Sequence, residues 1–207
     1  MTHDMTVPNS LLYVVLTTLE DMMGKNGLVS ILNISGMSEF RDSYPPNNQK
    51  QESKASDISR LISGLIDLIG KDGAKALLRK AGQRGFMLAL EESPELVGVF
   101  GLELKKMATD RERIAAVLNT LTFETNITFE EGHQVIVEVD DGFEVHINNC
   151  EWCMTLEGFT HPICSAEVGL EEAMIQWATG KRYPVEETAC RAAGAEKCVF
   201  HIIVTEE

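Results

Sequence analysis

No cysteine occurs before Cys150, yet five fall between there and Cys198. An odd number of thiols with no export signal makes a poor disulfide framework. The chain is also short of positive charge, with 18 Lys and Arg against 32 Asp and Glu, a formal net charge of -14. That balance works against nucleic acid or an anionic membrane surface as a partner. No apolar run reaches the roughly 18–20 residues that span a bilayer, so no membrane insertion is expected. No basic segment followed by an apolar one opens the sequence, and the expected compartment is the cytoplasm. Neither a Walker motif, a dinucleotide or flavin fingerprint, nor a basic recognition helix is present. Repeats and low-complexity tracts are absent too. The sequons at Asn33 and Asn126 carry no weight without export. What remains is an ordinary globular composition, 44% hydrophobic and 24% charged over 207 residues. This suffices for one domain with its own core, with or without a helical extension.

The first half reads as helices. Leu11, Leu12, Val15 and Leu19 share a face, Gly24 stops the run, and a short apolar stretch covers Leu28 to Ile34. From Met37 to Ser56 the chain is polar, with two prolines at its centre, and is expected to be a long loop. Asp57 reads as the N-cap of the strongest helix, which carries Ile58, Leu61, Ile62, Leu65 and Ile69. Gly70 and Gly73 break it, and a helical pattern resumes from Ala74 to Leu90. Further helices are expected over Leu96 to Met107 and Asp110 to Leu121. After Asn126 the period turns to two. Val135 to Val139 and Phe143 to Ile147 form a hairpin about Asp140-Asp141-Gly142. A helix from Ala166 to Thr179, ended by Gly180, precedes a last strand from Cys198 to Val204. The expectation is an α+β fold, an antiparallel sheet flanked by helices with a helical N-terminal portion. Residues 1–56 would form N-terminal helices and loop, and 57–207 the domain proper.

The clustered cysteines point to metal chemistry, because zinc takes four ligands from thiolate, imidazole and carboxylate. One set is Cys164, Glu187, Cys190 and Cys198, with Glu187 and Cys190 brought to one side by a helical turn. The excess negative charge would be offset by backbone N–H groups, with the Gly194 turn as a candidate. The other set joins the Cys150-x-x-Cys153 pair to Cys190 and Cys198. Spacing leaves both open. Either is closed, so the ion would be structural rather than catalytic.

The run from Cys150 through Cys153, Cys164 and Gly169 to Glu187-Thr-Ala-Cys190-Arg-Ala-Ala-Gly194-Ala-Glu-Lys-Cys198 resembles the 4-vinyl reductase domain family. The resemblance implies a fold like the small subunits of the TRAPP tethering complex, and a homodimer. It also implies a zinc held by three cysteines and a glutamate, here Cys164, Glu187, Cys190 and Cys198, beside a buried pocket for an aromatic molecule.

Trp152, Phe159, His161, His146 and Trp177 are candidate pocket residues. His133 and the pair Glu171-Glu172 read as solvated, as do Glu91-Glu92 and Glu206-Glu207. The functional expectation is a zinc-stabilised binder of a hydrophobic, aromatic or tetrapyrrole-like molecule. The alternatives are an enzyme or accessory in (bacterio)chlorophyll vinyl-group reduction, and a non-catalytic assembly subunit. Cys153 as a nucleophile lacks a third, orienting residue.

Overall fold

The computed structural model describes residues 4–92 and 94–204, leaving aside the side chains of 95–97. Helix α1 covers Asn9–Ile34 and α2 covers Ala55–Glu92, and each is broken once. Gly24 and Gly70 hold φ of 73° and 74° with ψ of 167°, a conformation open to glycine and strained for other residues. Gly73, by contrast, stays within the helix. The α2 helix starts at Ala55, so Asp57 lies in its first turn, where it pairs with Arg60 instead of capping. The polar stretch between α1 and α2 is largely irregular. Near its end β2 (Ser53–Lys54) pairs with β1 (Thr6–Val7), which the sequence pattern did not show.

Helix α3 runs Pro94–Lys106 and α4 runs Asp110–Thr128. A capping box starts α4: Thr109 Oγ1 accepts the Glu112 N–H at 3.2 Å, and the Glu112 carboxylate accepts the Thr109 N–H at 3.1 Å. The helix extends past Leu121 to include Asn126. From there the Asn126 amide clamps the next strand, accepting the Gln134 N–H at 2.8 Å and donating to the Gln134 carbonyl at 3.0 Å.

The main sheet has four antiparallel strands in the order β3-β4-β6-β5, from β3 (Gln134–Val139), β4 (Gly142–Ile147), β5 (Val185–Ala189) and β6 (Cys198–Ile203). Helix α5 (Ser165–Thr179) lies between β4 and β5 in sequence and ends at Gly180. Along β4 and β6, Phe143 faces Ile202, Val145 faces Phe200 and Ile147 faces Cys198. All six are buried, so Cys198 belongs to the inward face. This is an α+β fold with antiparallel sheets, largely helical.

Helices α2 and α5 pack at unusually short range. A Cβ on Gly82 would lie 1.8 Å from the Ala166 carbonyl oxygen, and one on Gly169 would lie 1.9 Å from that of Arg79. Backbone meets backbone there, and the Arg79 guanidinium grips Glu172 beside the crossing. The crossing fixes the start of α5, and with it Cys164.

Candidate metal centre and adjoining cavity

Four segments converge at the N-terminal end of α5. Cys150 and Cys153 come from the turns after β4, Cys164 from the residue preceding α5, Cys190 from the end of β5, and Cys198 from the start of β6. All five thiols are free and buried. Their sulfurs stand 3.8 Å apart for Cys164–Cys190, 3.9 Å for Cys164–Cys198, 3.8 Å for Cys150–Cys164 and 3.5 Å for Cys153–Cys198. A disulfide would need about 2.05 Å. A tetrahedral ion with metal–sulfur bonds of about 2.3 Å sets its sulfurs about 3.8 Å apart. The spacing therefore suits a metal.

Two donor sets can hold an ion, and in each all ligand atoms lie within 4.8 Å of one another. One is Cys164, Glu187, Cys190 and Cys198. The other is Cys150, Cys153, Cys164 and Cys198, so the C-x-x-C pair joins Cys164 and not the Cys190 expected from spacing. No helical turn brings Glu187 and Cys190 together; a β-bulge does. Glu187 stands opposite Phe200 and Ala189 opposite Val199, which leaves Thr188 as the extra residue. In a regular strand, residues three apart point to opposite faces; the extra residue returns Cys190 to the buried side. The signal for this strand was weak, because Glu187, Thr188 and Cys190 show no alternation of apolar residues.

Backbone donors support the anionic set. The Cys164 N–H donates to Glu187 Oε2 at 2.7 Å, and the Arg191 N–H points to Cys198 Sγ at 3.4 Å. The Gly194 N–H goes instead to the Arg191 carbonyl, at 2.9 Å. Burial, reinforced by the Cys190 charge, pushes the Glu187 carboxyl up to about 9. Its Oε1 has no hydrogen-bond partner among the described residues.

More buried acid lies along α5, and nothing in the local sequence pattern marked it. Glu171 is 0% exposed, and neither carboxylate oxygen has a hydrogen-bond partner among the described residues. Burial raises its carboxyl well above the ordinary range, and the charges of Glu167, Glu187 and Glu172 add to this. Glu167 accepts the Trp152 indole N–H at 3.0 Å. Burial, then the Glu151 charge, pushes its carboxyl up to about 8. His133 is likewise buried, 1% exposed, stacked on Phe129 at 4.5 Å and 3.4 Å from Glu151. Both Glu171 and His133 thus correct the solvated reading. Polar sequence neighbours suggested exposure, but the i, i+4 pair Glu167 and Glu171 lies on a covered face of α5.

The candidate pocket residues are distributed over four places. His161 lines a cavity of about 560 Å³ together with Ile66, Leu78, Ile163, Val168 and Glu187. Lys71, Lys75 and Arg79 of α2 line it as well, and the His161 Nε2 is buried without a hydrogen-bond partner among the described residues. Trp177 lines a different cavity of about 510 Å³ with Leu102, Leu104 and Arg113, and it packs on Phe100 and Phe86. Trp152 is buried among the cysteine-bearing turns. Phe159 lies edge-on to His161, with ring centroids 6.3 Å apart. His146 sits on β4 between Glu144, at 2.7 Å, and Lys197, at 2.9 Å.

The 4-vinyl reductase domain family matches residues 143–204, which contain every residue of both donor sets. No curated protein matches the chain. Solved structures with a similar fold include an H-NOX protein from S. oneidensis in the Fe(II)NO ligation state. It has a TM-score of 0.57 and 13% identity, over 93% of this chain and 98% of that one. Another is the Fe(II) unliganded H-NOX protein from K. algicida, with a TM-score of 0.61 and 15% identity over 97% of each chain. A third is the IWP-051-bound H-NOX from Shewanella woodyi in the Fe(II)CO ligation state, with a TM-score of 0.54 and 13% identity over 95% of this chain and 94% of that one. At such identities the likeness is one of fold: a 4-vinyl reductase domain match within an H-NOX-like α+β architecture.

Proposed function

We propose that this chain is a cytoplasmic, zinc-stabilised binding protein for a small hydrophobic, aromatic or tetrapyrrole-like molecule, acting as sensor, carrier or accessory. The observation that carries the reading is that Glu187 belongs both to a metal donor set and to the wall of the 560 Å³ cavity. Zinc fits the donors by chemistry and by sulfur spacing. Cys164, Glu187, Cys190 and Cys198 would hold it, leaving no open position, so it would brace the pocket wall and supply folding free energy. Ile66, Leu78, Ile163 and Val168 offer an apolar body to a ligand, and His161 brings an imidazole to the same wall.

An iron-bearing tetrapyrrole would need an axial imidazole, thiolate or phenolate. Among the described residues lining these two cavities, only His161 carries such a group. The same imidazole suits either ligand, as a hydrogen-bond partner to a phenol or as the axial ligand to an iron. An open cavity beside the metal donors also supports ligand binding over a purely structural subunit. Residues 1–56 would form a helical cover on a 57–207 unit whose 4-vinyl reductase portion would have a TRAPP small-subunit-like fold. The protein would be a homodimer, a state supported by the exposed apolar side chains of Phe123, Ile127 and Val135. No described helix is long and apolar enough to cross a membrane.

Native mass spectrometry of protein purified from its own host, followed by calorimetric titration with alkylphenols, tests this reading. Bound zinc and saturable binding, weakened at least about tenfold by His161→Ala, are the expected results. Protein without metal, or one that takes up no phenol and retains no small molecule, would sink it.

A further inference from the structure

The two donor sets overlap. They share two thiols, Cys164 and Cys198, and each adds two donors of its own: Cys150 and Cys153 in one, Glu187 and Cys190 in the other. Four donors per ion with two held in common is the arrangement of two tetrahedral ions joined by a pair of bridging thiolates. We propose that the chain binds two zinc ions, with Cys164 and Cys198 bridging them. One ion would complete its shell with Cys150 and Cys153, the other with Glu187 and Cys190. This rests on the metal-binding reading above and extends it.

Three observations support the second ion. First, Cys150 and Cys153 are as deeply buried as the other thiols. Each reaches a shared sulfur at a tetrahedral edge length, 3.8 Å from Cys150 to Cys164 and 3.5 Å from Cys153 to Cys198. Second, the shared pair is placed to bridge. The sulfur of Cys164 stands 3.8 Å from both Cys150 and Cys190, one donor from each set, and 3.9 Å from Cys198. Third, charge does not oppose it. Three thiolates and a carboxylate around one divalent ion leave two net negative charges. Adding Cys150 and Cys153 as thiolates with a second divalent ion leaves the same two. Each thiol releases its proton to solvent as the ions bind. The soft sulfur donors select zinc over magnesium or calcium.

Two measurements on the intact chain decide the matter. Native mass spectrometry after loading with zinc should show two ions per chain, falling to one in Cys153→Ser. Cadmium-113 NMR of the cadmium-substituted wild type should show two resonances coupled to each other through the shared sulfurs. The wild-type measurements stand even if the variant fails to fold. One ion per chain at saturation, or two uncoupled resonances, overturns the bridged pair while leaving a zinc-stabilised binder intact. No metal at all overturns both.

Discussion

Two parts of this molecule bury their interiors equally well with opposite chemistry. Between α1 and α2 the core is hydrocarbon: Leu12, Leu16, Leu19, Leu28, Ile31, Leu32, Ile58, Leu61, Ile62 and Leu65 are all buried. Around the start of α5 the interior holds five thiols, the acids Glu151, Glu167 and Glu171, and the imidazole of His133. The first region is stabilised by removing apolar surface from water, at roughly 25 cal/mol per Å². The second buries apolar side chains as well, among them Trp152, Ile163 and Phe200, but its buried polar groups cost free energy unless paired, protonated or bound to an ion. Its stability is therefore expected to vary with pH and, if the proposed zinc is bound, with the metal, and that of the helical layer is expected not to.

Removing metal should separate the two regions most sharply. With a strong chelator, or in Cys198→Ala, the melting temperature is expected to fall by about 10 °C or more, since structural zinc binding is coupled to folding. Hydrogen exchange should localise the loss to β5, β6 and the start of α5 while α1 stays protected. Equal loss throughout would show that the helical layer depends on the metal too.

Leu16→Ala provides the converse. It leaves a cavity in the hydrocarbon core and should cost about 2–5 kcal/mol. Denaturant unfolding should return the same cost at pH 5 and pH 8, with and without chelator. A cost that changed with metal would join the two regions energetically.

Gly169→Ala tests the seam between them. Its new Cβ would meet the Arg79 carbonyl at 1.9 Å, so α2 and α5 must move apart, at about 1–3 kcal/mol. Because α5 begins beside Cys164, zinc affinity should fall in the same variant. A stability loss with unchanged affinity would show that Cys164 is positioned without help from the crossing.

The difference between the regions also explains what the sequence revealed. Helical periodicity marked α1, α2, α3 and α4 because their apolar faces are continuous. Gly24 and Gly70 marked their breaks because those backbone angles suit glycine alone. The hairpin and last strand alternated clearly. Strand β5 did not, since its inward positions are taken up by Glu187 and Cys190 and its bulge disrupts the period. Cysteine spacing singled out residues that the fold brings within 4.8 Å of one another in two sets. It could not show that Cys150 and Cys153 meet Cys164, because that depends on how the α2–α5 crossing places the first turn of α5. Glu171 and His133 were misread for a related reason: a charged residue's burial depends on what tertiary packing lays over it, not on its sequence neighbours.

Glu171→Gln should give the smallest effect and the most specific one. The carboxyl titrates well above its ordinary range when folded, because burial opposes its charge. In the unfolded chain it titrates near 4.3. Above that pH the unfolded state loses a proton that the folded state keeps, so stability must fall as pH rises, by linkage. Glutamine keeps the shape and stays neutral. The variant should match wild type near pH 5, melt about 3 °C higher near pH 8, and show a shallower decline between. Some slope should remain, because Glu167, pushed up to about 8, still contributes in the same direction. Leu16→Ala should show no such pH dependence. If Glu171→Gln instead destabilised the protein at pH 8, the Glu171 carboxylate would have to be charged and held by a cation, and the cation-binding region would extend further along α5 than its thiols do.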